Sequence, residues 1–168
     1  SYRGYSEAKG TGWRMIDVAA WSAVQILFLV EFADWDSQGK LGQGYGNGSL
    51  SFTAGSSDTA AYHTIKGGNT YNQYRWNEHP FGLSYDLIDG IVVNNRKCYL
   101  EVDPGKYGGS KDTLRDSGVT LPSENGYITG LGMSQAFPWA FLPNEASNGS
   151  KTTFVPDHVD SYQYAGDY

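Results

Sequence analysis

Residues 18 to 30 read Val-Ala-Ala-Trp-Ser-Ala-Val-Gln-Ile-Leu-Phe-Leu-Val, and only Ser22 and Gln25 interrupt their apolar character. No other stretch constrains the fold as tightly. Thirteen residues are too few to cross a bilayer, which takes about 20. Ala19, Ala20 and Ala23 favour a helix, Asp17 can cap its start, and polarity returns from Glu31 to Asp36. The spacing predicts one long helix from about Ile16 to Ala33. Its apolar residues surround nearly the whole circumference, so both faces are expected to be covered by other elements.

The surroundings of that helix are loop-rich. Glycine supplies 22 of 168 residues, and 13 Tyr, seven Phe and five Trp make the chain aromatic without making it disordered. The length suits one domain with a core of its own. With 18 acidic and 12 basic residues the net charge is −6, and no run of three cations occurs. A nucleic-acid partner is therefore not expected, since phosphate binding needs clustered Lys and Arg. The single cysteine, Cys98, excludes an internal disulfide framework and an all-cysteine metal site. It reads as a small buried hydrophobe. A chain without disulfides suits assembly in a reducing cytoplasm, even for a product that works outside. Ser1 to Trp13 is polar and glycine-rich, so no signal peptide is read there.

Beyond the helix, Gln38 to Gly48 carries five glycines and Ser49 to Gly68 is rich in Ser, Thr and Gly. This reads as a long surface excursion. Tyr85 to Gly90 is expected as a strand entering the core, paired with Lys97 to Val102 through a turn at Asn94-Asn95, because Asn tolerates positive φ. Leu114 to Ser123 reads as a loop, and Tyr127 to Gly132 as a short glycine-broken strand. Ala136 to Leu142 is apolar around Pro138, hence an edge strand or extended segment.

Motifs of catalysis are sparse. His63, His79 and His158 lack metal-ligand spacing, and no Gly-x-Ser-x-Gly elbow is present. Gly42 to Gly48 is glycine-rich but has no strand before it to make a phosphate cradle. Asp86 with Asp89, or Asp157 with Asp160, are the pairs that a glycosidase could use as acid and base. What the chain has in excess is Tyr, Trp, Asn, Ser and Gly, the chemistry of recognition surfaces.

Gly12 to Gln38, with Leu27-Phe28-Leu29-Val30-Glu31-Phe32-Ala33-Asp34, and Asn77 to Tyr99, with Asn77-Glu-His-Pro-Phe-Gly82 and Asp89-Gly-Ile-Val-Val93, carry a resemblance. They resemble prokaryotic and phage proteins of C-type-lectin-like fold, related to formylglycine-generating-enzyme-like domains and including tail-fibre and diversity-generating-retroelement variable proteins. The resemblance covers residues 12 to 102 well and 127 to 168 loosely. It implies an α+β, C-type-lectin-like fold: one long buried helix, a twisted and mainly antiparallel sheet, and long loops. It implies a single domain over residues 1–168. The family's closing Gly-Gly-x-Trp segment would begin where Tyr168 stands, which reads as a truncated C-terminal end. Lone Cys98 departs from the reactive cysteines of the formylglycine-generating enzymes. Trp76-Asn77-Glu78 precedes Pro143-Asn144-Glu145, reversed and altered relative to calcium-dependent sugar lectins, so calcium is not indicated and no cofactor is expected.

The function expected is a non-enzymatic recognition module: a phage tail-fibre receptor-binding domain or a surface adhesin that binds a cell-surface glycan or protein. Its place would be the virion tail or the cell exterior, with self-association as a homotrimer or other homo-oligomer and no membrane insertion. A glycosidase-type enzyme and a structural subunit are the alternatives. In the resembling fold the ligand face is built from loops and late strands. Among aromatics on such segments, Tyr74, Trp76, Trp139, Tyr162, Tyr164 and Tyr168 are the candidate ligand-binding residues. Tyr162 and Tyr164, two apart, would share one face of a strand at about 7 Å. No catalytic or metal-binding residue is assigned.

Overall fold

The computed structural model describes residues 2–34, 37–41, 73–78, 80, 87–107, 110–123, 126–147, 158–160 and 164–166. They form an α+β structure of three helices and nine strands, all strand pairs antiparallel. Helix α1 spans Tyr2–Glu7, α2 Val18–Phe32 and α3 Ser37–Leu41. Strands β1 (Gln73–Tyr74) and β2 (Asn77–Glu78) make a small hairpin. Strands β3 (Ile91–Asn94), β4 (Lys97–Leu100) and β5 (Arg115–Thr120) form a sheet in that order. Strands β6 (Gly126–Met133), β7 (Phe141–Ser147), β8 (His158–Asp160) and β9 (Tyr164–Gly166) form another, ordered β7-β6-β8-β9.

Helix α2 begins where its capping chemistry says it should. Asp17 is the N-cap, and its carboxylate accepts from the Ala20 amide at 2.9 Å. Ala33 ends the helix in the left-handed region at φ 49°, with its amide returned to the Leu29 carbonyl. The expectation that α2 is buried on both faces fails. Val18, Ser22, Gln25 and Phe28 are buried, whereas Leu27 is 40% and Val30 76% exposed. The helix is a bridge between two cores rather than the centre of one. Val18 joins Cys98, Leu100, Val119, Phe137 and Leu142 in the first core, and Phe28 joins Leu41 and Tyr74 in the second. Cys98 is fully buried, and burial pushes its thiol up to about 12.

Other expectations also shift. Leu87 to Gly90 is not a strand; the hairpin starts at Ile91, and Asn94 pairs with Lys97. The two turn residues are therefore Asn95 (φ 49°) and Arg96 (φ 66°), one place beyond the expected Asn94-Asn95. Arg96 accepts this unfavourable backbone because its guanidinium donates twice to the Leu121 carbonyl, at 2.9 and 2.8 Å. The stretch read as a loop from Leu114 contains β5 instead. Asp116, Ser117 and Gly118 build a bulge inside the strand: Gly118 sits at φ 77°, and the Asp116 and Ser117 side chains accept from the amides of Gly118 and Val119. Tyr127 to Gly132 is a strand, as expected, within β6. Ala136 to Trp139 bends, and the strand follows it as β7, an edge strand that admits Pro143. The excursion read from Gln38 to Gly68 begins instead as helix α3, which takes in Gln38 to Leu41, and its remainder, 42–68, lies outside the described residues.

These elements are tied together at Asp89-Gly90. The Asp89 amide donates to the Ile16 carbonyl, and the Val18 amide donates to the Asp89 carbonyl, both at 2.9 Å. The Asp89 carboxylate accepts from Arg3 Nε at 2.7 Å and Nη2 at 2.6 Å, which holds α1 to the body. Gly90 sits at φ 77°, and a Cβ there would lie 2.6 Å from the Glu101 carbonyl oxygen and 3.0 Å from the Tyr107 ring. Gly90→Ala is therefore expected to cost more than about 2 kcal/mol in a urea titration. The Arg3 guanidinium, aided by the Gly90 amide, holds the Asp89 carboxyl below its ordinary 3.8. Its contribution to stability is thus complete above that value and is lost as the pH falls through the lower folded value. In Asp89→Asn this part of the acid dependence should vanish, while near neutral pH the variant is less stable than the parent; equal pH profiles would contradict the assignment.

Candidate functional site

The β1-β2 hairpin presents the most distinctive local geometry. Its register pairs Gln73 with Glu78 and Tyr74 with Asn77, leaving Arg75 and Trp76 as a two-residue turn. Both have positive φ, 48° and 66°, as a type I′ turn demands. Such turns favour Asn-Gly. For residues with a Cβ the left-handed region costs roughly 1–2 kcal/mol each. Surrounding contacts must overcome that cost.

The contacts are explicit. Glu31, in the last turn of α2, accepts through Oε2 from the Tyr74 hydroxyl at 3.0 Å and from Arg75 Nε at 3.1 Å. Arg75 Nη2 lies 3.0 Å from the same oxygen. The Tyr74 ring is fully buried, edge-on to Phe28 and tilted against Phe32, each at 6.0 Å between centroids. Burial raises its hydroxyl above the ordinary value of 10.0, which keeps it protonated and donating. Asn77 Nδ2 donates to the carbonyls of Tyr74 and Arg75 at 3.2 and 3.3 Å, bracing the turn from its other side. At the tip, Trp76 is 69% exposed.

The six candidate aromatics are accordingly not one surface. Tyr74 is a buried anchor, its ring packed against Phe28 and Phe32. Trp76 is displayed. Trp139 is half-buried and packs edge-on to Phe137 at 5.6 Å, on the first core rather than the second. Tyr162 and Tyr168 lie outside the described residues. Tyr164 opens β9, paired with Asp160, so its backbone is extended; the pairing of its ring with that of Tyr162 lies outside the described residues. Sequence reasoning missed Glu31 and Arg75. The available signal was the run Tyr74-Arg75-Trp76-Asn77, since a hairpin turn without glycine asks what restrains it.

Two further groupings bear on chemistry. Asp89 belongs to the ion pair with Arg3, and its lowered carboxyl is opposite to what a glycosidase acid requires. Asp86 and Asp157 lie outside the described residues. Glu101, Lys106, Asp112, Thr113, Leu114 and Arg115 line an open groove of about 640 Å³. There the Glu101 carboxylate accepts from the amides of Val102 and Asp103, which lower it, and it sits 3.5 Å from Lys106. Its lone pairs are spent on the local fold. Among the described residues no cluster of three or more His, Cys, Asp or Glu can hold a metal ion, and no helix is long and apolar enough to cross a membrane.

The role of Glu31 is testable without any ligand. Glu31→Ala removes the acceptor shared by Tyr74 and Arg75, and it should lower stability by about 1–3 kcal/mol in urea. Phe or Leu at the same place should do no better, because the buried hydroxyl would still lack its partner. A variant as stable as the parent would show that the turn is held by other means.

Compared with protein-family models, with curated proteins and with solved structures, the chain matches none.

Proposed function

We propose that this chain is a non-enzymatic recognition domain of the C-type-lectin-like kind, serving as a phage tail-fibre tip or surface adhesin that binds a cell-surface glycan or protein. One observation carries the reading. Trp76 is held outward on a turn that neither it nor Arg75 would choose, and the strain is offset by the hydrogen bonds of Glu31, Tyr74 and Asn77 to Arg75. Backbone strain of this kind concentrates where a side chain must be displayed in a set direction. A rigid indole offers a flat apolar face for stacking on a sugar ring or filling a protein pocket, with little rotamer entropy left to lose. The α+β architecture with antiparallel sheets accords with the resembling family, and the excess of Tyr, Trp, Asn and Gly accords with a recognition surface.

The strained turn supplies its own test, because stability and binding should move in opposite directions. Trp76→Gly replaces a strained residue with the one that positive φ favours, so the hairpin should be as stable as the parent or more so. The same change removes the ring, and binding to an array of cell-surface oligosaccharides, or to whole cells, should fall by one to two orders of magnitude, the loss typical of about 2 kcal/mol at a hot spot. Trp76→Ala should lose binding equally while gaining no stability. Parent and Trp76→Gly binding alike, or a parent that binds neither probe, would overturn the reading.

A further inference from the structure

The groove of about 640 Å³ at the start of β5 lies within the roughly 300–1,000 Å³ usual for small-ligand sites. Four of its six lining residues are charged, and three of those four are already engaged. Glu101 accepts from two backbone amides and faces Lys106, which also lies 3.9 Å from Asp103. Asp112 takes Lys111 on one carboxylate oxygen at 2.7 Å and the Ser110 hydroxyl on the other at 3.1 Å. The Thr113 hydroxyl donates back to the carbonyls of Lys106 and Ser110. Arg115 is the exception. It is exposed, and its side chain makes no ion pair or hydrogen bond among the described residues.

What holds Arg115 is a ring. Its guanidinium carbon lies over Phe137, 4.2 Å from the centroid. Phe137 is buried, its amide bonded to Ser134 Oγ at 3.0 Å and its carbonyl to the Ala140 amide at 2.9 Å, so the platform is fixed. A ring face attracts the cation without using its N–H donors. The guanidinium is thus placed in advance while its donors stay available. A planar fork of this kind matches a carboxylate in two parallel bonds. The half-buried indole of Trp139 stands edge-on to the same Phe137 ring at 5.6 Å.

We propose that this groove binds an acidic sugar, with the sugar carboxylate on the Arg115 guanidinium and Trp139 as a partly exposed apolar surface on the same platform. Three features select that ligand. One unmatched positive charge suits a singly charged anion; a phosphate dianion would bring a second negative charge toward Glu101 and Asp112, whose cations are already taken. The fork suits a planar anion. Asp112, with its side chain 75% exposed, keeps lone pairs that can accept from sugar hydroxyls. An acidic peptide side chain carries no donor on its apolar stem to meet them. The site is on another sheet and another core from the Trp76 turn, and it does not depend on what that turn binds.

Nitrogen-15 spectra of the 168-residue chain test the proposal site by site. Trigalacturonate, a hyaluronan tetrasaccharide and sialyllactose are each titrated to millimolar concentration beside their carboxyl-reduced, neutral forms. At least one acidic sugar should shift the Arg115 Nε and Trp139 indole resonances, and its neutral form should shift neither. Arg115→Gln, read at the Trp139 indole, should weaken binding by about ten- to a hundredfold, the range for hydrogen bonds to a charged group. Arg115→Lys keeps the charge but loses the fork, so it should recover only part of the affinity. Both variants should keep the parent's circular dichroism spectrum, because Arg115 is exposed. Trp76→Gly should titrate as the parent does, so failure at the Trp76 turn and failure here are read separately. No response to any of the three acidic sugars, an equal response to a neutral form or to a triglutamate peptide, parent-like binding by Arg115→Lys, or loss of the response in Trp76→Gly would each overturn the proposal.

Discussion

The fold depends on one short junction, Asp17 with Asp89-Gly90. Asp17 caps α2 and accepts from the Tyr107 hydroxyl at 3.2 Å, while the backbone of Asp89 bonds on both sides of Asp17, to Ile16 and Val18. One residue further, the Gly90 carbonyl accepts from the Glu101 amide, fixing the start and end of the β3-β4 hairpin. The start of the helix, the first sheet and α1 are therefore set by a handful of hydrogen bonds around two carboxylates. Each such bond is worth little alone. Their combined effect is geometric, because Val18 enters the first core only if the helix starts here and at this angle.

From that fixed start, α2 runs across the molecule to a second core. A helix apolar on all sides has no preferred inward face of its own, and rotating it costs little in burial. Contacts at its ends choose the rotation: Asp17 at the N-terminus, and Glu31 with Tyr74 and Arg75 at the C-terminus. With both ends pinned, Ser22 and Gln25 turn inward, and Leu27 and Val30 outward. Local polar contacts thus override the hydrophobic preference of single residues, and the apolar stripe on the outside is the consequence.

The two tight hairpins show one physical solution used twice. Asn95-Arg96 and Arg75-Trp76 both occupy positive φ with residues other than glycine. In each, an arginine guanidinium reaches beyond its own hairpin, to the Leu121 carbonyl or to Glu31, and secures the strained backbone. The difference lies in what is displayed. The first turn is absorbed into the sheet beside β5, and the second carries an exposed indole.

How much of this was legible in the residues follows from the range of the forces. The extent of α2 and its Asp17 cap, the turn between β3 and β4, the glycine-broken strand β6 and the burial of Cys98 depend on neighbours a few positions apart, and all could be read from residue order to within two or three positions, whereas the strand entering that turn begins at Ile91, six places after the expected Tyr85. The bulge in β5 could not, because Asp-Ser-Gly makes a turn or a bulge according to whether a partner strand is present. The split between Tyr74 and Trp76 could not either. The two are two residues apart and equally aromatic, and only the approach of Glu31, Phe28 and Phe32 from a helix more than forty positions earlier buries one and leaves the other outside. Sequence alone determined helix α2 and strand β6, whose propensity and period are local, but not β5, whose strand needs β4 beside it. Tertiary structure decided which face of each was covered, since burial is a property of whatever lies opposite.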